Sequence, residues 1–238
     1  MGYSGHYVAK IEQGKRFPPK DLVTRSEAAL GPTAGRVLKA AAQTLSRKAG
    51  LASWFRQWAG IEEDAVSLYA YECRVVPGLL QPESYIRAVF ERRVPPLSEG
   101  QFEQQVAARL ARQQLLIDRP NTTFCFIVEQ ALLERRLGGS VVTRALLDNL
   151  IRQGQRRNVE IQIMPLCQED HYGFEGPMYL AEASANQWLG YLESHEHSNL
   201  ITDPNAISAM LQRYGRMRSQ ALSRPATARL LEQMRGTL

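Results

Sequence analysis

The sequence predicts an α/β or α+β body, with a mixed sheet of about five strands and flanking helices, preceded by an all-α head. Two observations predict the body. From residue 65 onward, stretches with β-branched and alternating apolar residues take turns with stretches of helical periodicity. Between them stand Pro-Gly, Gly-Gly and Ala-Asn steps that punctuate the chain. A third observation separates the head. Residues 1–60 hold ten Lys or Arg against three Asp or Glu, whereas the remainder holds 19 against 21. The expected division is 1–49 for the head and 50–238 for the body.

The head begins with Gly2-Tyr3-Ser4, a turn followed by a hydroxyl able to cap a helix. Val8 and Ile11 lie three apart on one face of the helix that follows, and Gly14 is its stop. The other face carries His6, Tyr7 and Lys10. Lys15 and Arg16 follow near the negative pole of the helix dipole, and Pro18-Pro19 blocks continuation. A second helix is expected from Asp21 to Leu30, with Leu22 inward and Gly31-Pro32 as its stop. A third runs from Pro32 to Ala49. A short helix with donor-rich residues at its amino end suits a DNA major groove.

In the body, Trp54, Phe55 and Trp58 sit at near-helical spacing and are expected to pack at the domain junction. Ala65–Val76 reads as a strand, and Leu79–Phe90 as a helix interrupted by Pro82. Glu99–Ile117 is an amphipathic helix with Phe102, Val106 and Leu110 on one face and Arg109 and Arg112 on another. The arginines of this middle region are expected to form a solvated face. Thr122–Val128 is an apolar strand, Glu129–Leu137 a short helix, and Val141–Gly154 a longer one. Val159–Pro165 alternates strictly as a strand. Met178–Ala183 and Gln187–Glu193 pair as a hairpin around Ala185-Asn186. Helices are expected at Ala206–Leu222 and Ala226–Arg235.

Composition bounds the function classes. Hydrophobic content of 44% and charged content of 22% are globular values. No run approaches the roughly 18 apolar residues of a membrane span, and the polar start lacks a signal-peptide pattern. A cytoplasmic location without membrane contact is therefore expected. Cys73, Cys125 and Cys167 are scattered without metal-site spacing and are expected to be buried thiols. A basic head is an electrostatic footprint for nucleic acid. From Asn158 to Gln212 there are eight acids and no Lys or Arg, while six arginines follow from Arg213. The acidic block is expected to meet either those arginines or a basic partner.

Ser4–Pro18, SGHYVAKIEQGKRFP, resembles the recognition helix and following turn of XRE-type helix-turn-helix domains. The resemblance implies that Ser4, His6, Tyr7 and Lys10 face DNA bases and that Lys15 and Arg16 meet phosphate. The family carries two further helices before this point, where this sequence has three residues, so the head reads as a partial helix-turn-helix. The expectation is a start lying further upstream, with true truncation as the alternative. DNA binding is conditional on an intact N-terminus.

The body resembles a family as well. VPGLLQPESYIRAVF, RLARQQLL, FIVEQALLERRLGG and VEIQIMPL follow one another in the order found in an actinobacterial group of XRE-type regulators. Their C-terminal domain has no assigned function, and some are described as toxin–antitoxin-like pairs with a small protein encoded nearby. Pro77, Gly78, Leu79, Leu80 and Gln81 form the most recognisable motif. Its physical role is a strand-to-helix turn anchored by two leucines. Pro82 stands where the family often has Thr.

Enzyme patterns are missing from the sequence. No GxSxG elbow and no phosphate-loop pattern occurs. His171, His195 and His197, with Glu169, Asp170 and Glu193, offer metal-ligating atoms, but a polar hairpin rim accounts for them more simply. No metal, cofactor or catalytic residue is expected. The expected function is a sequence-specific transcriptional regulator whose body senses a small partner protein or ligand, as a homodimer if it reads two half-sites. The alternative is a protein-interaction module of a regulator pair without autonomous DNA binding.

Overall fold

The computed structural model describes residues 55–194 and 197–238. Before them it describes Ser4, Tyr7, Leu22, Thr24, Arg25, Glu27, Ala28, Gly31, Pro32 and Thr33.

One six-stranded mixed sheet organises the body, in the order β3-β2-β1-β4-β5-β6. Its strands are β1 (Ser67–Glu72), β2 (Thr123–Glu129), β3 (Val159–Met164), β4 (Met178–Glu182), β5 (Trp188–Glu193) and β6 (Ser198–Ile201). The first three pair in parallel, and β4, β5 and β6 each run antiparallel to the preceding neighbour. Strand β5 therefore runs with β1, and the carboxyl ends of β1, β2, β3 and β5 share one edge. The sixth strand is the addition to the expected five. Ser198–Ile201 is only four residues long, pairs on one side and buries no residue fully, so it leaves no alternation to read.

Period-two alternation divides the side chains between two faces. On one, Leu68, Ala70, Phe124, Phe126, Val128, Ile161, Ile163 and Tyr179 join a core with Leu79, Leu80, Leu116, Leu133, Leu147 and Leu150. On the other, Tyr71, Cys125, Ile127, Met164, Met178 and Leu180 pack against Ile207, Met210, Tyr214 and Met217. A Cβ at Gly190 would stand 2.7 Å from the Met210 sulfur, so the glycine in β5 lets the last long helix lie flat on the sheet.

The helices are α1 (Arg56–Asp64), α2 (Glu83–Phe90), α3 (Glu99–Gln113), α4 (Leu115–Asp118), α5 (Gln130–Glu134), α6 (Ser140–Gly154), α7 (Pro204–Gln220) and α8 (Arg224–Gly236). Their ends follow local chemistry. Ser98 and Gln101 form a reciprocal capping box at α3. The Asp203 carboxylate accepts from the Ala206 N–H at 2.8 Å ahead of Pro204 at α7. The expected Leu79–Phe90 helix is split. Gln81 is extended and Pro82 has φ −66, so residues 78–80 form one 3-10 turn and α2 starts at Glu83. The residue before a proline is pushed out of the helical region, which accounts for the break. Similarly, Glu99–Ile117 divides at Gln114 into α3 and α4. The expected helix at Glu129 begins one residue later, because Glu129 still pairs in β2.

The outer edge of β3 is covered rather than open. Leu222 N–H donates to Ile163 O at 2.8 Å, and Ile163 N–H donates to the Thr227 hydroxyl at 3.1 Å. Covering an edge in this way removes a template for unwanted strand pairing. Among the described residues, no helix is long and apolar enough to cross a membrane.

In the head, Tyr7 N–H donates to the Ser4 hydroxyl at 3.2 Å, the cap expected of Ser4. Leu22 is buried, and Gly31 has φ +88 with its N–H on Glu27 O, a helix stop of the expected kind.

Candidate functional site

Three carboxylates stand at the carboxyl edge of the sheet. Glu72 ends β1, Glu129 ends β2 and Glu193 ends β5. Glu72 and Glu193 lie on the face covered by α1, α3 and the 78–80 turn. Glu129 lies on the opposite face.

The first face holds a cluster of three carboxylates and three guanidiniums. Arg112 Nε lies 2.9 Å from Glu62 Oε2, with side chains only 6% and 1% exposed. The pair is close but poorly aligned for a hydrogen bond, since both atoms lack one among the described residues. Trp58 Nε1 donates to the other Glu62 oxygen at 2.9 Å. The Trp58 ring stacks on Tyr191 at 5.1 Å, and the Arg112 guanidinium lies 4.5 Å over Phe55. Phe55 and Trp58 thus pack into the body, and Trp54 lies outside the described residues. Burial pushes the Glu62 carboxyl up, against the pull of Arg112 and Trp58.

Beside this pair, the Tyr179 hydroxyl donates to Glu72 in a short bond. Arg74 reaches both Glu72 and Glu193 at 3.6 Å. Burial raises the Glu72 carboxyl, and burial with the neighbouring Glu72 holds the Tyr179 phenol well above its ordinary range.

The 77–81 motif closes this cluster. Leu79 and Leu80 are buried, as their anchoring role requires, and Gln81 is buried with them. Gln81 Nε2 donates to Val76 O at 2.5 Å, and Gln81 Oε1 accepts from Arg109 at 3.0 Å. Gln113 donates to Gly78 O and Gln81 O, and Asn149 donates to Leu80 O at 2.7 Å. A Cβ at Gly78 would lie 2.9 Å from Arg112 Nη2, so the glycine is needed for the guanidinium to pass. The motif's neighbours include the two arginines of α3, Arg109 at Gln81 and Arg112 at Gly78. Arg112 corrects the expected solvated face: it is 5% exposed, drawn inward by Glu62. The helical period alone could not have shown this, because Glu62 is fifty residues away on α1.

On the other face, His171 Nε2 lies 2.7 Å from Glu129, and His171 Nδ1 accepts from Gly173 N–H at 2.7 Å. The second contact makes Nδ1 an acceptor, so the proton sits on Nε2 and points at Glu129. The Tyr71 hydroxyl donates to Glu129 at 2.8 Å. Burial and Glu129 raise the Tyr71 phenol, so it stays a donor. A Cβ at Gly173 would strike both Tyr71 and His171. These contacts clamp the 165–177 connection over the ends of β1 and β2.

His197 is exposed, and His195 lies outside the described residues. Among the described residues no group of three metal-ligating side chains occurs. Of the three cysteines, only Cys125 is buried. Cys73 is half-buried and Cys167 is exposed, correcting the expectation for the latter two. Cys167 stands just beyond β3, at the start of the 165–177 connection. Burial raises the Cys73 thiol and pushes Cys125 up to about 11.

The acidic block meets the arginines within the same chain. Arg218 reaches Glu160 at 3.0 Å and Arg213 reaches Glu175 at 2.5 Å. Arg235, on α8, pairs instead with Asp148. Of the six head residues expected at DNA, Ser4 is exposed and Tyr7 is partly buried. His6, Lys10, Lys15 and Arg16 lie outside the described residues.

A family model described as "Domain of unknown function (DUF5753)" matches residues 55–233. The chain belongs to the DUF5753 family. The match begins at Phe55, which packs on Tyr191, and ends within α8, so it spans the whole sheet and both clusters. No curated protein and no solved structure matches the chain significantly. The VPGLLQ turn and the Glu62–Arg112 pair both lie within the DUF5753 region.

Proposed function

We propose that the chain is a transcriptional regulator: a basic helix-turn-helix head reads DNA, and the DUF5753 body receives a small partner protein or ligand that tunes it. The single observation that carries this reading is the capped helix start at Ser4–Tyr7 leading the donor-rich SGHYVAKIEQGKRFP segment. The charge division supports it, since ten basic residues against three acids in residues 1–60 favour a phosphate backbone. The body supports a binding role. His171 has both ring nitrogens engaged, and the Cys73 thiol is held protonated by burial, so these groups serve as fixed contacts.

The test is binding of the full chain to DNA flanking its own gene, against random DNA. Lys10→Ala and Tyr7→Ala should relax base preference, and Arg16→Ala should weaken all sequences alike. Equal effects of all three on both DNAs would remove the recognition-helix assignment.

A second reading treats the body as a protein-interaction module without autonomous DNA binding. The observation favouring it is that Phe174, 81% exposed, and Leu166, 55% exposed, both lie on the clamped 165–177 connection. Exposed apolar side chains on a pinned segment suit a partner surface.

A further inference from the structure

The two edges of the sheet differ. The β3 edge is closed by Leu222 and Thr227. The β6 edge pairs with β5 alone. Register decides which of its backbone groups face outward. Ser194 N–H donates to His197 O at 2.9 Å, and the β5–β6 pairs keep that register without a bulge. Bonded and non-bonded pairs alternate along an antiparallel ladder. Asn199 and Ile201 therefore bond to Leu192 and Gly190, while Leu200, opposite Tyr191, turns its N–H and C=O away from β5. Among the described residues nothing bonds to those two outward groups.

Native edge strands are shielded by lysine, proline, bulges or a covering segment. Strand β6, Ser198-Asn199-Leu200-Ile201, has no lysine, no proline and no charge. Its side chains are also incompletely covered. Leu200 packs on the first-face core and Ile201 on the opposite core, and both stay only partly buried. An added strand would satisfy the Leu200 backbone and cover both side chains, the arrangement of strand-addition complexes.

Charge selects the occupant. Residues 178–212, from β4 into α7, carry four acids and no Lys or Arg. Asp203 follows β6 directly, and Glu182 stands at the same end of the sheet through its pairing with Trp188. Glu182 is held by the Ser67 hydroxyl and Asp203 by the Ala206 N–H, so neither meets a cation among the described residues. A second copy would bring four further acids to the same edge, and like charges across paired strands are destabilising. We infer that the β6 edge accepts an extended, basic segment of a partner protein as an added strand. Main-chain bonds to Leu200 supply attachment, and Lys or Arg beside Asp203 and Glu182 supplies the choice of partner. The inference rests on the reading of the body as partner-binding, and holds whether or not the head reads DNA.

The probes are a short peptide of alternating lysine and valine, its counterpart with glutamate for lysine, and the lysine peptide with alternate backbone nitrogens methylated. Each is titrated into the full chain by fluorescence anisotropy at matched ionic strength. The lysine peptide should bind saturably, and the glutamate peptide about tenfold or more weakly, because like charges then meet at the edge. Methylation should abolish binding by removing the main-chain donors. Leu200→Pro removes the outward N–H without taking a bond from β5, and should weaken the lysine peptide about tenfold or more. Asn199→Lys, at an exposed position, should weaken it by repulsion. If Leu200→Pro fails to fold, hydrogen exchange on the wild type reads the same contact. The Leu200 amide should exchange freely in the chain alone and become protected by the lysine peptide, with Asn199 and Ile201 protected throughout. A Leu200 amide already protected in the chain alone, equal binding of the lysine and glutamate peptides, saturable binding by neither, or a dimer of the chain that Leu200→Pro dissolves overturns the assignment. Lysine-peptide binding untouched by both variants overturns the β6 site and leaves the partner-binding reading standing.

Discussion

Removing one member of the Glu62–Arg112 pair should cost far more than replacing both. The two side chains are 1% and 6% exposed and their charged atoms lie 2.9 Å apart. Arg112→Met would leave Glu62 buried with only the Trp58 N–H as donor. Breaking a buried pair from one side costs about 3–5 kcal/mol, because an uncompensated charge stays behind. Replacing both partners by apolar residues of similar volume is often neutral or stabilising by about 1–4 kcal/mol, since both desolvation penalties vanish together. The double variant Glu62→Leu/Arg112→Met should therefore stand well above Arg112→Met in stability. Its recovery stays short of complete to the extent that Arg112 also packs on Phe55 and passes Gly78. Urea unfolding of wild type, both single variants and the double variant, each checked for two-state behaviour, measures the coupling directly. Additive losses in the double variant would refute the reasoning, because they would show that the two side chains are independent.

The pH dependence of the same site has a definite sign. Burial raises the folded Glu62 carboxyl above its unfolded value, so its contribution is fully present below the unfolded pKa and declines as pH rises through the folded one. The stability difference between wild type and Glu62→Gln should therefore shift against wild type as pH rises across that interval, and an opposite trend would show that Arg112 outweighs burial. On the other face, Gly173→Ala should dislodge the 165–177 connection, since the new Cβ strikes Tyr71 and His171. A loss of about 1–3 kcal/mol is expected, as for overpacking in general, with faster proteolysis confined to that connection. An unchanged melting temperature and cleavage pattern would remove the clamp.

The legible parts of this fold were those decided by neighbours in sequence. Val159–Met164 alternates strictly, and Phe102, Val106 and Leu110 repeat along one face of α3. Asn186, with φ +59, marks the expected hairpin turn between β4 and β5. The illegible parts were decided by distant partners. Ser198–Ile201 becomes a strand only because β5 offers it an edge. Arg109 and Arg112 look like surface arginines on a helical wheel until Gln81 and Glu62 are brought to them. His171 reads as one of several scattered histidines, and its partner Glu129 lies 42 residues earlier at a strand end. The 77–81 motif was visible as a turn. Its role as the floor of a charged cluster needed the three-dimensional register.

The proposed DNA-reading role faces its most direct test in the salt dependence of equilibrium binding by the full chain. A head making about five phosphate contacts should give log K falling against log salt with a slope of about −4 to −5. Weak binding that does not change with salt would contradict the regulator reading and leave the body as an interaction module.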